Sequence, residues 1–250
     1  RRRGEPFVLP RQHPHAFRRC EEERGWDVGG VVGRRMCRVA KKELSMAQVT
    51  TGIRSILSVA TVYQWLQDFV GKHTRQYFVD TYVQPTKDDV LLDVGCGTGA
   101  FIECLPADTQ YIGVDLSSDY IEYAQSHHDR GTFICAPVGD LDSMQVDPPT
   151  VALAIGLLHH LDDEEVHKLF QDIFRVMAEG SRLITLDGCL LKRTHPLARL
   201  LIRMDRGQNV RTPDAYRLLA ERTFADVEVA VRSDLLRVPY DHAILTCRRT

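Results

Sequence analysis

The chain has no uninterrupted run of 18 apolar residues, so no segment is long enough to cross a membrane as a helix. Its seven cysteines, an odd number, include no CxxC pair. That argues against a disulfide framework or a zinc centre and for reduced, mostly buried thiols, so a cytoplasmic setting and no metal are expected. Internal repeats and low-complexity stretches are also missing. At 44% hydrophobic and 26% charged over 250 residues, with Gly 17 and Pro 11, the composition excludes a collagenous or disordered chain.

Charge is unevenly spread beneath a net of -2. Residues 1–45 hold 12 Lys and Arg against 6 Asp and Glu, whereas the remainder holds 20 against 28. An acidic body disfavours nucleic acid and favours a small-molecule partner. Residues 1–45 mix Arg clusters with scattered Gly and Pro and carry no sustained period. They are expected to be a disordered basic leader, or a non-native extension ahead of a start at Met46. The alternative is a basic tail for anionic partners. No apolar stretch of the kind a secretory signal needs follows Arg1–Arg3.

From about Thr50 to Pro85 apolar residues recur at helical spacing, including Ile53, Ile56, Leu57, Trp65, Leu66, Phe69, Tyr77 and Phe78. Short apolar runs then alternate with amphipathic stretches. Strands are expected at Val90–Val94, Tyr111–Val114, Thr132–Cys135, Val151–Ile155 and Leu183–Leu186. Between them, Ser117 or Ser118 caps one helix, and Asp162 with Glu165 forms a capping box for another that Gly180 stops. Five such alternations predict a doubly wound α/β fold with helices N-terminal to it. Two more helices are expected within 194–222, the second starting at Thr212–Pro213. Val227–Val231 and Ala243–Cys247 are linked too briefly for a parallel crossover, which predicts an antiparallel hairpin at one sheet edge.

One stretch carries chemistry. Leu91-Leu92-Asp93-Val94-Gly95-Cys96-Gly97-Thr98-Gly99 follows a buried strand and is expected to open a helix. Glycines at such a turn let backbone approach a ligand, and a helix N-terminus favours an anionic group. Twenty residues past Gly95, Asp115 ends the second strand, placed to accept hydrogen bonds from both hydroxyls of a ribose. Dinucleotide sites favour G-x-G-x-x-G. Here the spacing is G-x-G-x-G, with Asp93 two residues ahead, where an acid repels pyrophosphate but suits an ammonium group. Ribose, adenine and an amino acid in one ligand describe S-adenosylmethionine. An NAD-dependent oxidoreductase is the weaker alternative.

With LLDVGCGTG, YIGVDLS, AIGLLHHL (Ala154–Leu161) and the terminal hairpin, the sequence from about Thr50 to Arg248 resembles class I S-adenosylmethionine-dependent methyltransferases. It is most similar to the small-molecule group with a Leu-His-His-Leu element. The resemblance implies a Rossmann-like seven-stranded sheet, mostly parallel with an antiparallel C-terminal strand. It also implies one domain over 46–250, with a helical cap at 46–88, a cofactor-binding core at 89–190, a substrate-roof insert at 191–224 and the hairpin at 225–250. Asp93, Gly95, Cys96, Gly97 and Gly99 would then border the methionine part, Asp115 the ribose and Leu116 one adenine face, with Ile155–Gly156 backbone near the amino acid. The family's adenine-binding Asp after the third strand is replaced by Pro137, which has no carboxylate and no N–H. Either Asp140 reaches the adenine or main chain and packing recognise it.

Methyl transfer from a sulfonium is an in-line displacement at a nucleophilic O, N or C, so the protein mainly aligns and desolvates the reactants. A base helps when the nucleophile starts protonated. His160 and His159 stand where the fourth strand ends, and Asp187 ends the fifth on the same edge. These three are the candidate catalytic residues, against a packing or capping role beside Asp162. Arg203, Arg206 and Arg211 could grip substrate anions from the roof, or lie on a solvated helix face. Tyr63 is a candidate pocket-lining aromatic, and Lys72 or Arg75 a countercharge for the cofactor carboxylate. A catalytically silent or non-methylating cofactor-binding protein of the same fold is the main alternative.

Overall fold

The computed structural model describes residues 72–143, 146–194, 209–236 and 240–250. Helix α1 (Lys72–Phe78) runs into a π-helical turn at Val79–Val83. Gln84 closes that turn at φ 44°, its N–H donating to the Val79 carbonyl at 2.7 Å, and Pro85 prevents continuation.

All seven expected strands form. They are β1 (Val90–Val94), β2 (Gln110–Asp115), β3 (Thr132–Cys135), β4 (Val151–Ile155), β5 (Arg182–Gly188), β6 (Asp226–Arg232) and β7 (His242–Arg248). They build one sheet in the order β3-β2-β1-β4-β5-β7-β6. β1 to β5 pair in parallel, whereas β7 runs antiparallel to both β5 and β6. A dinucleotide-binding sheet continues 3-2-1-4-5-6 in parallel. Here the hairpin fills that edge with an antiparallel strand, so the sheet is Rossmann-like rather than Rossmann.

Helix starts follow the sequence signals. α2 (Ser118–His127) starts at Ser117, whose hydroxyl accepts from the Tyr120 N–H at 3.4 Å. α3 (Asp163–Val176) opens with both arms of a capping box: Asp162 accepts from the Glu164 and Glu165 N–H groups, and Glu165 accepts from the Asp162 N–H. α4 (Pro213–Glu221) has Thr212 as its cap and Pro213 at its first position.

Three expectations differ. The glycine turn opens only a five-residue 3-10 helix, Ala100–Cys104, because Leu105-Pro106 cuts it short. β3 is followed by a 3-10 turn at Val138–Ser143. α3 ends at Val176, before Gly180, where the Arg249 guanidinium donates to the Phe174, Arg175 and Met177 carbonyls that the helix leaves unpaired. The expected helices before residue 72 and the first helix of the insert lie outside the described residues, as does the basic leader.

Both sheet faces are covered. On one, Leu92, Val94, Ala152, Leu183 and Leu245 meet Phe170 and Ile173 of α3 and Tyr216 of α4. On the other, Leu91, Tyr111, Ile184 and Ile244 meet Phe78 and Val79, Ile102 and Ile121. Burial on both sides explains the continuous apolar runs. It also leaves the C-terminal strand ends as the edge where polar groups reach a ligand. No helix among the described residues is long and apolar enough to cross a membrane.

Candidate active site

The glycine turn is stapled to β2 by its own backbone. The Gly95 and Cys96 N–H groups both donate to the Val114 carbonyl, at 2.8 and 3.1 Å. The Gly97 N–H donates to Asp115 Oδ2 at 2.9 Å, and the Ser117 N–H donates to Asp115 Oδ1 at 2.8 Å. Each carboxylate oxygen thus spends one lone pair on the chain and retains acceptor capacity. Burial raises the Asp115 pKa, and the backbone N–H bonds oppose that rise. Gly95, Gly97 and Gly99 all have positive φ, but the space around them differs. Among the described residues, a Cβ at Gly97 meets nothing within 4 Å, whereas one at Gly99 lies 2.6 Å from the Phe133 ring. Gly97 therefore borders open space and Gly99 borders packed core.

Asp93 is 2% exposed, and its Oδ2 accepts from the Tyr111 hydroxyl at 2.7 Å. Burial pushes its pKa up to about 6, against the pull of that hydrogen bond. The Cys96 thiol is also raised by burial, which keeps it protonated. Leu116 is 52% exposed, an apolar side chain left uncovered beside Asp115. Asp140 lies in the 3-10 turn after β3, its N–H donating to the carbonyl of the exposed Pro137 at 3.1 Å. Ile155 ends β4. Gly156 follows at φ 64°, its N–H donating to the Leu186 carbonyl at 2.7 Å. Arg75 is half-buried on α1.

Beyond Gly156, a short 3-10 turn (Leu158–His160) lifts two imidazoles over the ends of β4 and β5. His159 Nδ1 lies 2.7 Å from Asp187 Oδ1, and the His159 N–H donates to the same oxygen at 3.2 Å. Asp187 is completely buried. Desolvation raises its pKa and the His159 bonds oppose this. Its Oδ2 is buried with no hydrogen-bond partner among the described residues. The His160 ring sits 4.1 Å from that of His159. The pairing with Asp187 thus falls to the first histidine of the two.

Arg211 is engaged within the chain. It pairs with Asp163 and donates to the carbonyls of Leu158, Leu161 and Asn209, with its side chain 9% exposed. Its observed role is to clamp the segment that carries the histidines. Tyr63, Arg203 and Arg206 lie outside the described residues. The sequence does not announce Tyr111 as the partner of Asp93, nor His242, whose Nδ1 is buried at the start of β7 without a partner among the described residues. Burial lowers the His242 pKa to about 4. Position at the first residue of the last strand, beside the fifth-strand end, is the signal that could have drawn attention to His242.

Residues 91–180 match a family model described as a methyltransferase domain. No curated protein matches the chain. Among solved structures, human N-acetylserotonin methyltransferase, in complex with SAM, is 20% identical with a TM-score of 0.58; the match covers 76% of this chain and 55% of that one. A SAM dependent methyltransferase from Archaeoglobus fulgidus is 18% identical with a TM-score of 0.59, over 74% of this chain and 99% of that one. The plantazolicin methyltransferase BpumL, in complex with a desmethyl analogue and SAH, is 14% identical with a TM-score of 0.55, over 79% and 94%. The chain thus spans little more than half the length of the human enzyme. At these identities the likeness establishes the fold. The part that resembles a methyltransferase domain, residues 91–180, holds the glycine turn, β2 to β4 and α3.

Proposed function

We propose that the chain transfers a methyl group from S-adenosylmethionine to a small molecule, with a hydroxyl oxygen the favoured acceptor. The observation that carries the cofactor reading is Asp115. It is a strand-end carboxylate fixed by two backbone N–H groups, with acceptor capacity left on both oxygens, beside the open space at Gly97. Those features fit a ribose with two adjacent hydroxyls. Leu116 supplies an uncovered apolar surface for a base, Asp93 and the Gly95–Gly99 turn border the amino-acid end, and Ile155–Gly156 backbone flanks it. Asp140 and Arg75 are proposed as further contacts to the adenine and the carboxylate. S-adenosylmethionine, when bound, supplies a methyl group already activated on a cationic sulfur.

The chain's own contribution is then alignment and management of one proton. With its Nδ1 proton held by Asp187 Oδ1, His159 carries its basic lone pair on Nε2. That nitrogen takes the proton of the acceptor hydroxyl, and Asp187 stabilises the imidazolium that forms. Such assistance matters for a protonated nucleophile, which favours oxygen over an amine already neutral. His160, its ring tilted 40° against that of His159, is proposed to contact substrate from the same turn. Tyr63, Arg203 and Arg206 are retained as substrate contacts, and Arg211 as the clamp of that turn. The acidic body suits a small-molecule partner better than a nucleic acid.

The test is mass spectrometry of the purified chain incubated with S-adenosylmethionine and a panel of phenols, alcohols, amines and carbon acids. S-adenosylhomocysteine appearing with a methylated hydroxyl compound is expected. Cofactor binding without any turnover would instead favour a catalytically silent member of the fold.

A further inference from the structure

The loop between α2 and β3 grips the glycine turn from behind. His128, the residue that caps α2 at its C-terminal end, places Nε2 2.9 Å from the Thr98 carbonyl, 30 residues earlier in the chain and between two of the turn's glycines. A carbonyl only accepts, so Nε2 carries the proton and donates it. The His128 ring stacks on Phe133 with centroids 5.6 Å apart and planes 26° from parallel. The same two rings close the space at Gly99, where a Cβ would meet Phe133 at 2.6 Å and His128 at 3.2 Å.

The Thr98–Gly99 peptide is thereby fixed at both ends. Its carbonyl accepts from His128, and its N–H donates to the Cys96 carbonyl at 2.9 Å. One residue earlier, the Gly97 N–H is held by Asp115. Two side chains from opposite ends of α2 thus set the turn's shape: Asp115, just before it, through Gly97, and His128, at its end, through Thr98. Arg130 continues the grip along the 3-10 helix by donating to the carbonyls of Ile102, Leu105, Pro106 and Ala107. The Thr98 carbonyl matters because a carbonyl released to swing toward the crevice would confront an anionic ligand group with the negative end of its dipole.

We infer that His128 is a positioning residue for the cofactor, holding the Thr98 carbonyl away from the crevice so that the glycine turn is formed before the ligand arrives. The inference rests on the cofactor reading above. It concerns affinity for cofactor and not the chemical step, because among the described residues His128 meets Thr98 and Phe133 and not the His159–Asp187 pair.

The experiment compares His128→Ala and His128→Gln with the unaltered chain. Glutamine offers an N–H donor the same number of bonds from the backbone but no ring to stack, so it separates the hydrogen bond from the packing. In ligand-free protein, hydrogen–deuterium exchange over residues 95–102 should accelerate in His128→Ala and return toward the original rate in His128→Gln. Titration with S-adenosylhomocysteine should show roughly five- to tenfold weaker binding for the alanine variant, the loss of about one hydrogen bond, with affinity restored within about threefold by glutamine. The KM for cofactor should rise while kcat stays within about twofold. Unchanged exchange and affinity in His128→Ala would overturn the inference. So would equal loss in both variants, which would reduce His128 to a stacking residue. If the unaltered chain binds no S-adenosylhomocysteine, the cofactor reading fails instead, and the exchange comparison still decides whether His128 shapes the turn.

Discussion

His159 and Asp187, 28 positions apart in the chain, meet through a single oxygen. The ring Nδ1 and the backbone N–H of His159 both address Asp187 Oδ1, at 2.7 and 3.2 Å. Two contacts on one atom fix the imidazole's orientation as well as its tautomer. The parallel register of β4 and β5, in which Ile155 stands opposite Leu186, brings the two residues to the same sheet edge.

This arrangement predicts different consequences for the two neighbouring histidines. His159→Ala should lower kcat by about 100-fold or more, the usual contribution of a positioned base, with cofactor affinity unchanged. His160→Ala should act mainly on the KM for the acceptor. Steady-state kinetics with the best acceptor found, alongside a cofactor titration, checks both. Equal losses in kcat would mean that the pairing with Asp187 does not select the base.

The glycine turn predicts a separation of stability from binding. Gly99→Ala adds a Cβ against the Phe133 ring at a φ of 74°, and thermal unfolding should show it to be the more destabilised variant. Gly97→Ala carries the left-handed backbone cost, about 1–2 kcal/mol, since no atom of the described residues lies within 4 Å of the added Cβ. Its methyl group enters the open space assigned to the ligand, so its larger defect should be in S-adenosylhomocysteine affinity.

Two buried groups predict opposing pH dependences of stability. Asp93 titrates near 6 in the folded chain against 3.8 ordinarily, so the folded state binds the extra proton. Its contribution is fully present below pH 3.8 and is lost as pH rises through 6. His242 titrates near 4 against 6.5, so there the unfolded chain binds the extra proton. Its contribution is present above pH 6.5 and is lost as pH falls through 4. Each is worth at most about 3 kcal/mol, and over pH 4–6.5 they largely offset. Melting temperatures of Asp93→Asn should therefore climb more steeply with pH than those of the unaltered chain, and those of His242→Gln less steeply. Parallel curves for all three proteins would contradict the assignment.

The sheet was legible because its central strands are buried on both faces and its helix caps are written in local residues. Asp162 with Glu165 and Thr212 with Pro213 declare their helices without tertiary help. The antiparallel edge followed from the shortness of the link between Arg232 and His242. Helix lengths were harder to read. The 3-10 helix after Gly99 stops at Leu105-Pro106, and α3 stops where the distant Arg249 reaches its carbonyls. At the site, residue types at strand ends pointed to Asp115, His159 and Asp187. Which histidine pairs with Asp187 depends on the 3-10 turn at Leu158–His160, and no periodicity encodes that. Tyr111 beneath Asp93, His128 behind Thr98 and Arg211 across Leu158 are contacts between segments 18, 30 and 53 residues apart. Nothing local in the chain announces them.

Isothermal titration of the purified chain with S-adenosylhomocysteine tests the central claim most directly. Saturable one-site binding is predicted, weakened at least about tenfold in Asp115→Ala, where both ribose contacts and the support of Gly97 are lost. Absence of binding heat with S-adenosylhomocysteine and S-adenosylmethionine alike, or equal affinity in Asp115→Ala, would contradict it.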